Sequence, residues 1–168
     1  MSARRIWHVD AFTATPLTGN PAAVVDGAGL DSGTMQRIAL NQNLSETVFL
    51  LAPKDSANHA RVRIFTPRSE LPFAGHPIVA AAHILTEERI ATPAGGEPLR
   101  IETGAGVIPV VVTGDPALYT MTQARPEFRD SVITRDAIAV AVGLAPGDIV
   151  RIAEVSTGIW WLLAQVAS

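Results

Sequence analysis

The sequence predicts a single α+β domain, a mostly antiparallel curved sheet wrapped around one buried central helix, and three observations carry that expectation. Between Ile78 and Leu85 only His83 interrupts an apolar run, and a helix without a polar stripe has to be enclosed on all sides. The rest reads as many short strands divided by turn formers, without the regular strand and helix alternation of a parallel sheet. With 168 residues, 48% hydrophobic and 17% charged, one domain can bury roughly 70% of its unfolded surface. The apolar surplus hints at a partner surface.

Residues 4–12 alternate as a first strand, with Ile6, His8 and Asp10 on one face and Trp7, Val9 and Ala11 on the core-directed one. Residues 13–21 are a loop dense in turn formers, 22–25 a short strand, and Asp26-Gly27 a turn. Asp31 can cap a helix to about Asn41, where Met35, Ile38 and Ala39 supply a thin apolar stripe, and Asn43 suits a left-handed end. Val48, Phe49 and Leu50 make residues 45–51 a strand. A hairpin-like connection through Ser56-Ala57-Asn58 leads to residues 61–66, where Val62 and Ile64 alternate with Arg63 and Phe65.

The central helix, about residues 75–89, opens at Gly75-His76-Pro77, with Pro77 suited to the first helical position. Its first-turn N–H groups have no intrahelical partners and attract an anion such as a carboxylate. Strands at 99–103 and 106–113 follow, and Pro109 puts the second at an edge or a bulge because it cannot donate to a ladder. Residues 118–124 alternate again, Thr134 caps a helix to Val142, and closing strands fall at 149–155 and 159–166. There is no internal repeat.

The net charge of −3 and the single lysine, Lys54, give no electrostatic footprint for nucleic acid. The absence of cysteine removes disulfides and thiolate chemistry. No apolar run approaches the ~20 residues that span a bilayer, and the residues after Arg4 and Arg5 form no signal-like core, so no membrane partner and a cytoplasmic protein are expected. The four histidines, His8, His59, His76 and His83, have no metal-ligand spacing, so no metal site is expected. Gly104-Ala105-Gly106 reads as a hairpin, since Pro109 stands where a dinucleotide loop needs its third glycine.

Glu46 stands at the mouth of a strand beside Val48 and Leu50. A carboxylate against an apolar wall has its ionised form disfavoured, which suits a general acid/base, although a solvated strand-end glutamate is the plainer reading. His76 reads either as a helix-start histidine with satisfied hydrogen bonds or as a donor beside a bound anion. His83 reads as core or surface, Arg68 and Glu70 as a structural pair, and Trp160 and Trp161 as packing or partner surface.

The blocks Gly19-Asn20-Pro21-Ala22-Ala23-Val24-Val25, Asn43-Leu44-Ser45-Glu46-Thr47-Val48-Phe49 and Arg63-Ile64-Phe65-Thr66-Pro67, with Glu70-Leu71-Pro72-Phe73-Ala74-Gly75-His76-Pro77, resemble the PhzF-like (phenazine biosynthesis) isomerase family. Val9-Asp10-Ala11-Phe12 and Val155-Ser156-Thr157-Gly158 also fit, so the resemblance covers essentially the whole chain. It implies a diaminopimelate epimerase-like roll whose two similar halves flank a cleft, each with a central helix N-terminus turned to the substrate carboxylate. It also implies Glu46 as proton shuttle with His76 beside it, and Ser45, Gly75, Asn20 and Pro77 as substrate-binding positions. The family reaction moves a proton between carbons of a dihydro-hydroxyanthranilate without a cofactor. Ala74 stands where the related epimerases have a cysteine, and Ile78 where the family often has threonine.

Residues 1–168 then correspond to the N-terminal half of a two-half protein, as a single domain. The partners expected are a small carboxylate substrate and either a second copy in a homodimer or the missing C-terminal half. A catalytically silent carboxylate-binding or dimerisation module is the alternative, and a hotdog-type roll acting on acyl thioesters a more distant one.

Overall fold

The computed structural model describes residues 3–167. The chain separates into two compact units, one ending at Thr122 and the other beginning at Gln123.

The first unit carries β1 (Ile6–Ala11), β2 (Asn20–Asp26), α1 (Ser32–Gln42), β3 (Glu46–Leu51), β4 (Ala60–Phe65), β5 (Glu70–Leu71), α2 (Gly75–Glu87), β6 (Leu99–Thr103), β7 (Gly106–Thr113) and β8 (Leu118–Met121). The strands form one mixed sheet in the order β1-β2-β3-β4-β6-β7-β8, with β5 paired to β4. β2–β3 and β4–β6 are parallel and the other pairs antiparallel. Because α2 packs on β1 and β2 at one end of this order and on β8 at the other, the sheet curls around it.

Strand alternation explains what meets the helix. Val48 and Leu50 of β3, Val62 and Ile64 of β4, Leu99 and Ile101 of β6, and Ile108 and Val110 of β7 point inward onto Ile78, Ala81, Ala82 and Leu85. The Ala80-Ala81-Ala82 run is fully buried, and its small side chains let the strands approach the helix closely. On the outer face Phe49 and Phe65 meet edge to face at 5.4 Å, and Met35 and Ala39 of α1 cover them together with Val25. β3 is thus buried on both faces.

Local chemistry holds the ends. The Asp31 carboxylate accepts from Thr34 N at 2.7 Å, which keeps its carboxyl below the usual value, and Asn43 ends α1 at φ 52°. Beyond α2, Glu88 accepts from Trp7 Nε1 at 3.1 Å and pairs with Arg5 at 3.3 Å, tying the helix end to β1.

The second unit contains β9 (Glu127–Arg129), α3 (Arg135–Val142), β10 (Ile149–Ser156) and β11 (Trp160–Val166), with an antiparallel sheet ordered β11-β10-β9. Thr134 accepts from Ala137 N at 3.2 Å as the N-cap of α3, and Ile138, Ala139 and Ile149 form a small core. Every residue of β11 is exposed, including Trp160, Trp161, Leu162 and Leu163. Arg129 bonds Glu154 at 2.6 Å and lies 4.0 Å above the Trp160 ring.

Several expectations are revised. The closing strands form their own sheet with β9 instead of extending the roll. Pro77 is the third helical residue, not the first, although still in the turn whose N–H groups lack partners. Pro109 lies in an interior strand, between β6 and β8, without a register shift. Its carbonyl accepts from Thr122 N, just past the end of β8, so its missing donor faces the place where that ladder stops. Among the described residues no helix is long and apolar enough to cross a membrane.

Replacing Ile78, 0% exposed at the centre of the enclosure, by alanine is expected to cost about 2–5 kcal/mol in urea unfolding. Leu40→Ala on the open side of α1, 60% exposed, is expected to stay within about 0.5 kcal/mol.

Candidate active site

Three segments converge at one end of the sheet. Ala22 of β2 lies opposite Glu46 of the parallel β3, which brings Asn20 and Pro21 beside Ser45 and Glu46. β4 returns antiparallel, with Phe65 opposite Thr47, and a turn and β5 then deliver the chain to α2. In that turn Thr66 Oγ1 accepts from Arg68 N and Ser69 N, while two 2.6 Å bonds from Arg63 to Glu70 pin β5 to β4. Gly19 lets the loop before Asn20 pass close, since a Cβ there would lie 2.4 Å from the Ala11 carbonyl oxygen.

The product is a half-buried carboxylate facing a buried imidazole. Glu46 Oε2 lies 3.4 Å from His76 Nε2, with side-chain exposures of 18% and 9%. Neither atom has a hydrogen-bond partner among the described residues. Burial pushes the His76 ring below its ordinary value, opposed by the Glu46 charge and the Pro21 backbone carbonyl, so the imidazole is neutral near pH 7. The Nε2 edge of the ring is the one turned to Glu46.

Directly beside this pair α2 begins. Its N-cap, Ala74, offers no side-chain hydrogen bond, so the N–H groups of Gly75 and His76 lack intrahelical partners and Pro77 has none to offer. The positive end of the helix dipole favours a carboxylate at this place.

Among the sequence candidates, Glu46, His76 and Gly75 meet here. Ser45 and Asn20 are exposed at the ends of the adjoining strands, and the Pro77 ring is buried. His83 instead bonds Tyr119 at 3.2 Å, and His8 contacts Gln42 at 2.9 Å. The anticipated Arg68–Glu70 pair is replaced by Arg63–Glu70, because residues two apart on β4 share the face that β5 joins. The Pro21 backbone beside His76 has no counterpart in the side-chain pattern of the sequence, since a carbonyl belongs to every residue type.

A mixed sheet curled round a buried helix is the architecture of an epimerase-like roll. A hydroxyproline epimerase from Agrobacterium vitis, 16% identical, shares this fold over 96% of the chain and 51% of its own length, with a TM-score of 0.69. The chain belongs to the PhzC-PhzF family, the phenazine biosynthesis-like proteins, whose model matches residues 9–168. A solved structure from Pseudomonas aeruginosa described as a predicted epimerase superposes with a TM-score of 0.84 at 33% identity, covering 99% of this chain and 60% of that one. An uncharacterised isomerase of Mesorhizobium japonicum is 39% identical over the whole chain and 58% of its own length. A trans-2,3-dihydro-3-hydroxyanthranilate isomerase of Pseudomonas aeruginosa is 45% identical over 60% of this chain and 34% of its own. The chain thus spans little more than half the length of the Mesorhizobium relative.

Because folding lowers the His76 pKa below 6.5, the unfolded chain binds more protons as pH drops through 6.5. Stability linked to this group is therefore complete above about pH 6.5 and declines on acidification. The His76 ring, followed by NMR, is expected to titrate below 6.5, and lower still in Glu46→Gln, which removes the opposing charge. A midpoint at or above 6.5 contradicts this assignment.

Proposed function

We propose that this chain forms one side of the catalytic cleft of a PhzF-like, cofactor-independent isomerase or epimerase acting on a small, phenazine-precursor-like carboxylate. The observation that carries the reading is the Glu46–His76 pair, 3.4 Å apart and buried beside the uncapped start of α2. In this reading the substrate carboxylate accepts from the N–H groups of Gly75 and His76, with Asn20 and Ser45 at the rim. Glu46 takes a proton from a carbon of the substrate, so that a C–H bond breaks, an O–H bond forms and the electron pair moves into the conjugated system. Glu46 then returns the proton to another carbon, or to the opposite face of the same one. The neutral His76 ring steadies the proton while Glu46 holds it. Atoms and charge balance without an oxidant or reductant.

Proton transfer needs positioned groups on both sides of the reacting carbon. We take the second side to come from a further half of the kind that lengthens the relatives, or from a second copy of this chain. The alternative, a silent carboxylate-binding or dimerisation module, draws support from the exposed apolar residues of β11, which suit a covering partner.

Incubating the chain with trans-2,3-dihydro-3-hydroxyanthranilate in deuterated water separates these readings. Deuterium uptake above background, reduced about 10²–10⁴-fold in Glu46→Gln, supports the isomerase. Uptake retained in Glu46→Gln rejects Glu46 as the proton carrier, and no uptake at all favours the silent module.

A further inference from the structure

The first unit also holds a cavity on the outer face of the sheet, beyond the part covered by α1, with a volume of about 720 Å3. Its walls are Lys54, Asp55 and Asn58, the outward Arg61 and Arg63 of β4, the chain from Glu70 to Pro72, and the β6–β7 hairpin. None of its lining residues belongs to the Glu46–His76 site.

The walls are braced. The Glu102 carboxylate accepts from Lys54 N at 2.9 and 3.0 Å, Asp55 N at 2.8 Å and Asn58 Nδ2 at 3.0 Å, which holds its pKa down to about 2 and keeps it charged. Gly104 packs so closely on Pro72 that a Cβ would lie 2.8 Å from the Pro72 Cα, and Ala105 N donates to the Pro72 carbonyl at 3.1 Å. Arg63 and Glu70 neutralise one another, and the Asp55 carboxylate accepts from Ala57 N at 2.9 Å.

Every acid of the lining is thereby engaged, while two cations are not. The Lys54 ammonium and the Arg61 guanidinium have no hydrogen bond or ion pair among the described residues. Arg61 Nε is in addition buried without a partner. Arginine stays protonated, so a buried N–H of this kind is costly until an acceptor reaches it. Nε forms one corner of the guanidinium edge, the same edge with which Arg63, two residues along β4, grips a carboxylate. Glu102 feels the Arg61 charge but is saturated by the loop amides and lies beyond ion-pair distance.

We propose that this cavity binds a small oxyanion, a carboxylate or a phosphate, held between the unpaired Arg61 guanidinium and the Lys54 ammonium. The lining has three cations and three carboxylates, so the grip comes from local donors and not from a net field. Val107, exposed on the β6–β7 hairpin, adds apolar wall beside the polar groups.

The experiment is an amide and arginine-Nε NMR titration of the full chain with sodium phosphate and, separately, with sodium benzoate, each against sodium chloride at equal ionic strength. Expected are saturable shifts at Arg61, Lys54 and Val107 in the millimolar range, weakened at least tenfold by Arg61→Gln and several-fold by the surface change Lys54→Gln. His76→Asn is expected to leave them unchanged, which separates this site from the proposed catalytic one. The tighter of the two probes tells carboxylate from phosphate. Shifts matched by chloride, or undiminished in both Arg61→Gln and Lys54→Gln, overturn the proposal.

Discussion

The first unit depends on hiding α2. A helix whose residues from Ile78 to Leu85 are apolar nearly all round gains little by lying on a flat sheet, which would leave half of it wet. The sheet therefore runs past it on both sides, from β1 to β8, and the inward residues of the central strands are dictated by that contact. α1 is secondary, since it covers only the outer patch made by Val25, Phe49 and Phe65.

Enclosure also decides where polar chemistry can sit. Along its sides α2 meets strands, and at its far end Glu88 is tied to Trp7 and Arg5. The near end has the uncapped N–H groups, and there the sheet delivers Glu46 and the Pro21 carbonyl to His76. The pair combines the burial of a core contact with polar atoms that the core leaves without hydrogen-bond partners, a departure from ordinary core chemistry that accompanies functional sites.

What was legible in the sequence followed from local rules. The apolar run of α2, the caps at Asp31 and Asn43, and the alternation of Val62 and Ile64 with Arg63 and Phe65 each state a burial or a backbone demand within a few residues. The Ser45-Glu46-Thr47 and Gly75-His76-Pro77 blocks stated the candidate pair through family resemblance. What escaped depends on partners distant in the chain. Alternation in the closing strands reports which way side chains face but not which strands they join, and the position of Pro109 became readable only once the end of β8 was fixed. Arg63 was spent on strand alternation and Arg68 on Glu70, because spacing along a loop does not reveal that β5 folds back on β4. The surroundings of Arg61 have no local signature, since the cavity around it is assembled from segments up to about 50 residues apart.

The central claim is that the middle of α2 is enclosed by the sheet while the N–H groups at its start are left without helical partners. Native-state hydrogen exchange of the full chain tests it residue by residue. The account predicts that the amides from Ala80 to Leu85 exchange only with the full unfolding free energy of the first unit, while those of Gly75 and His76 exchange far sooner because no helical acceptor protects them. Equal protection from Gly75 to Leu85, or exchange of the helix centre through low-energy local opening, would contradict it.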